Sequence, residues 1–209
     1  MPEKEHPLNE NKPNIKLLSI GINEYKSDSV KDLRKCVQDV ELMQAFFSHK
    51  LGVPEANLRK LTNEEATRNE IIEAFRAHFQ GLEDGDIAVL HYSGHGSWED
   101  THPAFIDAGI DTPGSRTEVL VCHDSRIDNT YNIADKELRW LVHELQYTPD
   151  GQPTGVQFVA LLDCCYSGSM FRRVDEEVVR RMHPGSKDPR PLAMFLEQQY
   201  EQMEALQLP

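Results

Sequence analysis

Three short apolar runs, Ile15–Ile22 (IKLLSIGI), Ile87–Tyr92 (IAVLHY) and Val156–Leu162 (VQFVALL), constrain this 209-residue chain most. Each is short, contains little that is polar, and stops at turn-forming residues, which is the pattern of a buried strand. The segments between them have helical spacing. Asp28-Ser29 offers an N-cap to a helix carrying Val30, Leu33, Val37, Val40, Phe46 and Phe47, broken at Leu51–Pro54. A short strand near Leu58–Leu61 leads to Thr67, which can cap a helix with Ile71, Ile72, Phe75 and Phe79 on one face. Asp135 can cap another through Leu138, Leu141, Val142 and Leu145. Residues 97–133 are rich in Asp, Gly, Thr and Pro around one apolar run, Val119–Cys122, and read as loops and small hairpins. This strand–helix alternation predicts an α/β fold with a mostly parallel sheet flanked by helices on both faces.

In such sheets functional residues gather at the carboxyl ends of strands. Ile87–Tyr92 runs into Ser93-Gly94-His95-Gly96, and Val156–Leu162 into Asp163-Cys164-Cys165-Tyr166-Ser167-Gly168. A thiol becomes a strong nucleophile once an imidazole takes its proton. His95 and Cys165 can meet if their strands are neighbours. Gly94 and Gly96 are expected to let the backbone bend and to present amides to an oxyanion. Alternation along extended chain puts Ser93 on the face of His95 and Asp163 on that of Cys165. A carboxylate beside a nucleophilic cysteine opposes thiolate formation, so Asp163 is assigned to binding a substrate cation. A zinc reading from His91, His95 and Cys165 lacks both helical ligand spacing and a second cluster, and no metal is assigned.

Composition removes other classes. A formal net charge of −13 disfavours phosphate backbones, so no nucleic-acid partner is expected. No apolar run reaches a membrane span, and the polar start has no signal-peptide core, so the expectation is a cytoplasmic protein with no membrane partner. The four cysteines, Cys36, Cys122, Cys164 and Cys165, fit a reduced compartment better than a disulfide framework. The expected organisation is a polar arm at 1–14, a catalytic domain at 15–170 and a helical segment at 171–209.

The pair Tyr92-Ser93-Gly94-His95-Gly96 and Asp163-Cys164-Cys165-Tyr166-Ser167-Gly168 resembles the two signatures of metacaspases and prokaryotic caspase-like peptidases. The resemblance runs from about Lys16 to Ser169 and includes Gly21-Ile22-Asn23 and Leu33–Asp39. It implies a caspase-like fold, His95 as base, Cys165 as nucleophile and Gly96 near the oxyanion. It also implies an acidic pocket for Arg or Lys built from Cys36, Asp39, Ser93 and Asp163, and hence protein or peptide substrates with a basic residue at the cleavage site. Cys36 and Asp39 stand three apart and share a helix face. Without the resemblance, Cys36 reads as core and Asp39 as a solvated helix position. A caspase-type preference for Asp is the enzymatic alternative, and a catalytically silent scaffold or regulatory binding module is the alternative of another class.

Three departures accompany the resemblance. Tyr166 stands where many members have histidine. Asp107, Asp111, Glu118 and Asp124 are the candidates for calcium binding, but Arg116-Thr117 and Arg172 occupy positions where acids are expected, so no cofactor is assigned. The 44 residues after Cys165 read as helical after an Arg-rich stretch, so the family's last strands are expected from a small-subunit-like partner or a missing segment, unless the fold ends differently. Arg172, Arg173, Arg180 and Arg181 would suit self-cleavage by an Arg-specific enzyme, and a plain solvated helix explains them equally well.

Overall fold

The computed structural model describes residues 12–128, 130–164 and 190–196. Its elements in chain order are β1 (Ile15–Gly21), α1 (Cys36–His49), β2 (Leu58–Thr62), α2 (Arg68–Phe79), β3 (Ile87–Ser93) and β4 (Gly96–Asp100). They continue with α3 (Pro103–Asp107), β5 (Arg116–Leu120), β6 (Ile133–Ala134), α4 (Asp135–Gln146) and β7 (Gln157–Asp163). No helix among the described residues is long and apolar enough to cross a membrane.

The three apolar runs are the centre of the molecule. β1, β2, β3 and β7 form a parallel sheet in the order β2-β1-β3-β7. Right-handed crossovers fix which face each helix takes. The chain moves one way across the sheet from β1 to β2 and the other way from β2 to β3 and on to β7, so α1 covers one face and α2 and α4 the other. Leu17 and Val89 accordingly pack with Phe47 and Val53 under α1. Leu18, Ile20, Leu90 and Tyr92 pack with Phe75, Phe79, Leu138 and Leu141 under α2 and α4.

Thr67 caps α2 as expected, its hydroxyl accepting from Glu70 N at 3.3 Å. The first helix is a correction: it starts at Cys36, not at Asp28-Ser29. Ser27 O accepts from Val30 N, Asn23 O from Leu33 N, and the Asp32 carboxylate from Tyr25 N, which ties the intervening chain into a loop. The helix takes its first acceptor from afar, where Asn23 Oδ1 receives Cys36 N–H at 2.9 Å. Asp135 is likewise not the cap of α4 but its first residue; Ala134 precedes it, and Glu137 reaches back to accept Ala134 N–H at 2.8 Å.

Residues 97–133 hold more order than loops and small hairpins. β4, β5 and β6 make a separate antiparallel sheet, and α3 sits in the β4–β5 connection. Val121 N donates to His95 O at 3.0 Å, which fastens this sheet to the end of β3. The 190–196 segment joins the same subassembly. Arg190, 2% exposed, donates to both carboxylate oxygens of Glu99, to Glu137 Oε2 and to Asn132 O.

Candidate active site

In register across three adjacent strands stand Gly21, Ser93 and Asp163, the last residues of β1, β3 and β7. The sheet order reverses direction between β1 and β3, so this row lies at the topological switch point where α/β sheets bind ligands. Gly21 is there because of space. A Cβ on it would lie 2.6 Å from Cys36 O and 2.6 Å from Val40 Cγ2, so the first turn of α1 rests directly on the end of β1. That approach carries Asp39 over β3, where Ser93 Oγ donates to Asp39 Oδ2 at 2.9 Å. Asp39, Ser93 and Asp163 thus stand together at the carboxyl end of the sheet, two carboxylates on either side of one hydroxyl. Cys36 shares the helix face of Asp39 but is fully buried. Its packing in the core is what the residues alone had indicated, whereas Asp39 does more than decorate a solvated surface.

His95 is held on every side and is 5% exposed. Its N–H donates to Tyr25 Oη at 2.9 Å, and its carbonyl accepts from Tyr92 Oη at 2.8 Å. Its Nε2 lies 2.7 Å from Lys31 O. A carbonyl oxygen only accepts, so Nε2 carries the proton, and the neutral ring then has its lone pair on Nδ1. That Nδ1 is buried with no hydrogen-bond partner among the described residues. An unpaired buried acceptor of known tautomer is what a base needs before its acid arrives. Burial pushes the Tyr25 and Tyr92 phenols far above the usual range, so both remain neutral hydrogen-bonding groups.

Gly94 serves this arrangement through size rather than bending. Neither Gly94 nor Gly96 has a positive φ, but a Cβ on Gly94 would lie 2.5 Å from Tyr92 Oη and displace the phenol that holds His95. Gly96 opens β4 immediately after the imidazole. Ser93 and His95 do not work as a side-by-side pair: one turns to Asp39, the other to Lys31.

Cys165 lies outside the described residues, as do Tyr166 and Arg172, Arg173, Arg180 and Arg181. Its strand is the neighbour of the one that ends before His95, the condition on which their meeting depended. Cys164 is described, and it is partly buried against the larger core cluster.

The four calcium candidates are not brought together. Asp111 Oδ2 lies 2.7 Å from the buried Lys136 Nζ, a charge contact without hydrogen-bond alignment. Asp124 accepts the N–H of Arg68 at the start of α2, Glu118 stands opposite Trp98 on β5, and Asp107 ends α3. Among the described residues no three His, Cys, Asp or Glu side chains converge as a metal site.

Sequence reasoning missed Lys31, Tyr25, Asn23 and the role of Tyr92. The Lys31 contribution is a backbone carbonyl, which no side-chain pattern reports. Tyr92 lies inside the Tyr92–Gly96 motif, and its place at the end of an apolar run is a usable signal for a buried, hydrogen-bonded phenol.

A family model described as metacaspase, peptidase C14 domain, matches residues 16–173. Metacaspase-1 of Eremothecium gossypii is 31% identical over 162 residues, 75% of this chain and 32% of that protein. Metacaspase-4 of Arabidopsis thaliana is 30% identical over 168 residues, 78% of this chain and 36% of that protein. The chain therefore spans about a third of the length of these curated relatives. Among solved structures, a protein of Geobacter sulfurreducens superposes with a TM-score of 0.55 at 25% identity, covering 73% of this chain and 51% of that one.

Proposed function

The chain belongs to the metacaspase family, peptidase C14, and on that premise we propose that it is a cysteine endopeptidase cleaving peptide bonds after Arg, and less readily after Lys. Cys165 gives its thiol proton to His95 Nδ1, and the thiolate attacks the scissile carbonyl carbon. The oxyanion is held by backbone amides near Gly96 and Cys165. His95 returns the proton to the leaving amine as the C–N bond breaks. Water then gives a proton to His95 and attacks the thioester, which releases the carboxylic acid and restores the Cys165 thiol.

The observation that carries this reading is the His95 ring, with its Nε2 proton committed to Lys31 O and Nδ1 left without a partner among the described residues. The recess of Asp39, Ser93 and Asp163, backed by Cys36, supports a guanidinium at the cleavage site. A planar guanidinium pairs with two oxygens at once, which favours Arg over Lys. An acidic recess repels a substrate Asp.

Hydrolysis without calcium belongs to the same reading, supported by the Lys136 ammonium already beside Asp111. So does a small-subunit-like partner. β7 is the edge of the parallel sheet among the described residues, and its Val159 and Leu161 are 42% and 37% exposed. Parallel sheets ordinarily have both faces covered. Amide exchange tests the partner: β7 is expected to exchange faster than β3 in the chain alone, and equal protection of both removes the need for another strand.

Matched fluorogenic peptides ending in Arg, Lys or Asp, with calcium or a chelator and with Cys165→Ala as blank, test the activity. Cysteine-dependent cleavage in the order Arg, Lys, Asp, unchanged by chelator, is the expected result. No cleavage under any of these conditions would favour a silent scaffold.

A further inference from the structure

His91 lies two residues before Ser93 on β3, so it points to the same face of the sheet, one step below the acidic recess. It is 4% exposed, and its Nδ1 is buried with no hydrogen-bond partner among the described residues. Ser19, its register neighbour on β1, is fully buried, its Oγ likewise without a partner among the described residues. Native folds pair nearly all such groups, so an imidazole nitrogen left unpaired beneath a site points to use by the site.

Three elements bear on this ring. From α1 the charged group facing it is Asp39, from β7 it is Asp163, and β1 contributes the uncharged Ser19. Both carboxylates favour a protonated His91, but burial outweighs them and holds its pKa below the ordinary histidine range. The ring is therefore neutral at pH 7 and gains its proton as the pH falls below that range.

We propose that His91 is a proton-linked specificity residue of the acidic recess. Neutral His91 leaves the charge of Asp39 and Asp163 to a guanidinium side chain; protonated His91 becomes the recess's own cation and displaces it. The inference rests on the Arg-pocket reading above. It makes guanidinium binding release a proton, so affinity falls as the pH drops below the His91 pKa, by about tenfold per unit at the limit. A substrate cation and a buried imidazolium compete for one pair of carboxylates.

Benzamidinium, which stays cationic throughout, tests this on the full chain without any hydrolysis. Calorimetry from pH 8 to 5, in buffers of different ionisation enthalpy, is expected to show weakening affinity and release of about one proton per probe bound on the acid side. His91→Gln is expected to flatten that dependence down to the pH at which the carboxylates themselves titrate. If that variant does not fold, the wild-type His91 Cε1–H resonance decides, since saturating probe should shift its titration to lower pH. Equal affinity from pH 8 to 5, or a His91 titration unmoved by the probe, overturns the proposal and leaves the recess standing. No binding at any pH overturns the Arg-pocket reading itself, and this inference with it.

Discussion

At the residue scale the chemistry depends on how two side chains are held. His95 has its tautomer set by a main-chain carbonyl, so the base we propose is oriented by fold geometry and not by a third side chain. Replacing His95 by Gln is expected to lower kcat roughly 100- to 10,000-fold, the usual worth of a positioned base, with folding unaltered by circular dichroism. Asp39 contributes charge to the recess through a hydrogen bond from Ser93. Asp39→Asn keeps the shape and removes the charge. Its expected cost is about 1.5–3 kcal/mol of transition-state binding, roughly 10- to 150-fold in kcat/KM on Arg peptides. Equal loss on Arg and uncharged peptides would remove Asp39 from the recess and leave it a structural role.

At the element scale, the site exists because α1 can approach β1 closely. Gly21→Ala places a methyl group 2.6 Å from the α1 backbone. It is expected to lower stability by about 1–3 kcal/mol in a denaturant titration and to lower activity further by moving Asp39. Wild-type stability would contradict this packing account. Strands β1, β3 and β7 and the helix α2 were legible in the sequence, because each is defined by its own apolar pattern or cap. Ser93 and Asp163 were legible because each stands at the end of one of those apolar runs, where it closes β3 or β7. The start of α1 was not: Asp28-Ser29 looks like a cap locally, but Asn23 accepts the first helical N–H from a residue 13 positions further along the chain. The sheet of β4, β5 and β6 was blurred for a similar reason, since it is assembled by pairing between distant short segments. The Lys31 carbonyl left no trace at all, because any residue type presents one.

At the scale of the whole molecule, a buried carboxylate joins the parts. Glu137 on α4, with its side chain 1% exposed, accepts from Arg190 Nη1 at 3.0 Å and Leu196 N at 3.0 Å, and it pairs with Arg68 of α2. Removing it would leave two guanidinium groups short of a partner in a buried setting. Glu137→Ala is expected to cost about 3–5 kcal/mol, read as a lowered unfolding midpoint. A loss below about 1 kcal/mol would mean these charges are solvated and contribute as little as surface pairs do. The anchor holds the 190–196 segment against β4, which begins directly after His95. The central claim joins Cys165, His95 and the recess into one peptidase site. It is tested most directly by treating the chain with a peptidyl ketone electrophile ending in Arg, then mapping the adduct by mass spectrometry. The account predicts a single adduct on Cys165, slowed by Asp39→Asn and lost with His95→Gln, with little labelling by the matched Asp ketone. Labelling at Cys164, or equal labelling by the Arg and Asp ketones, would contradict it.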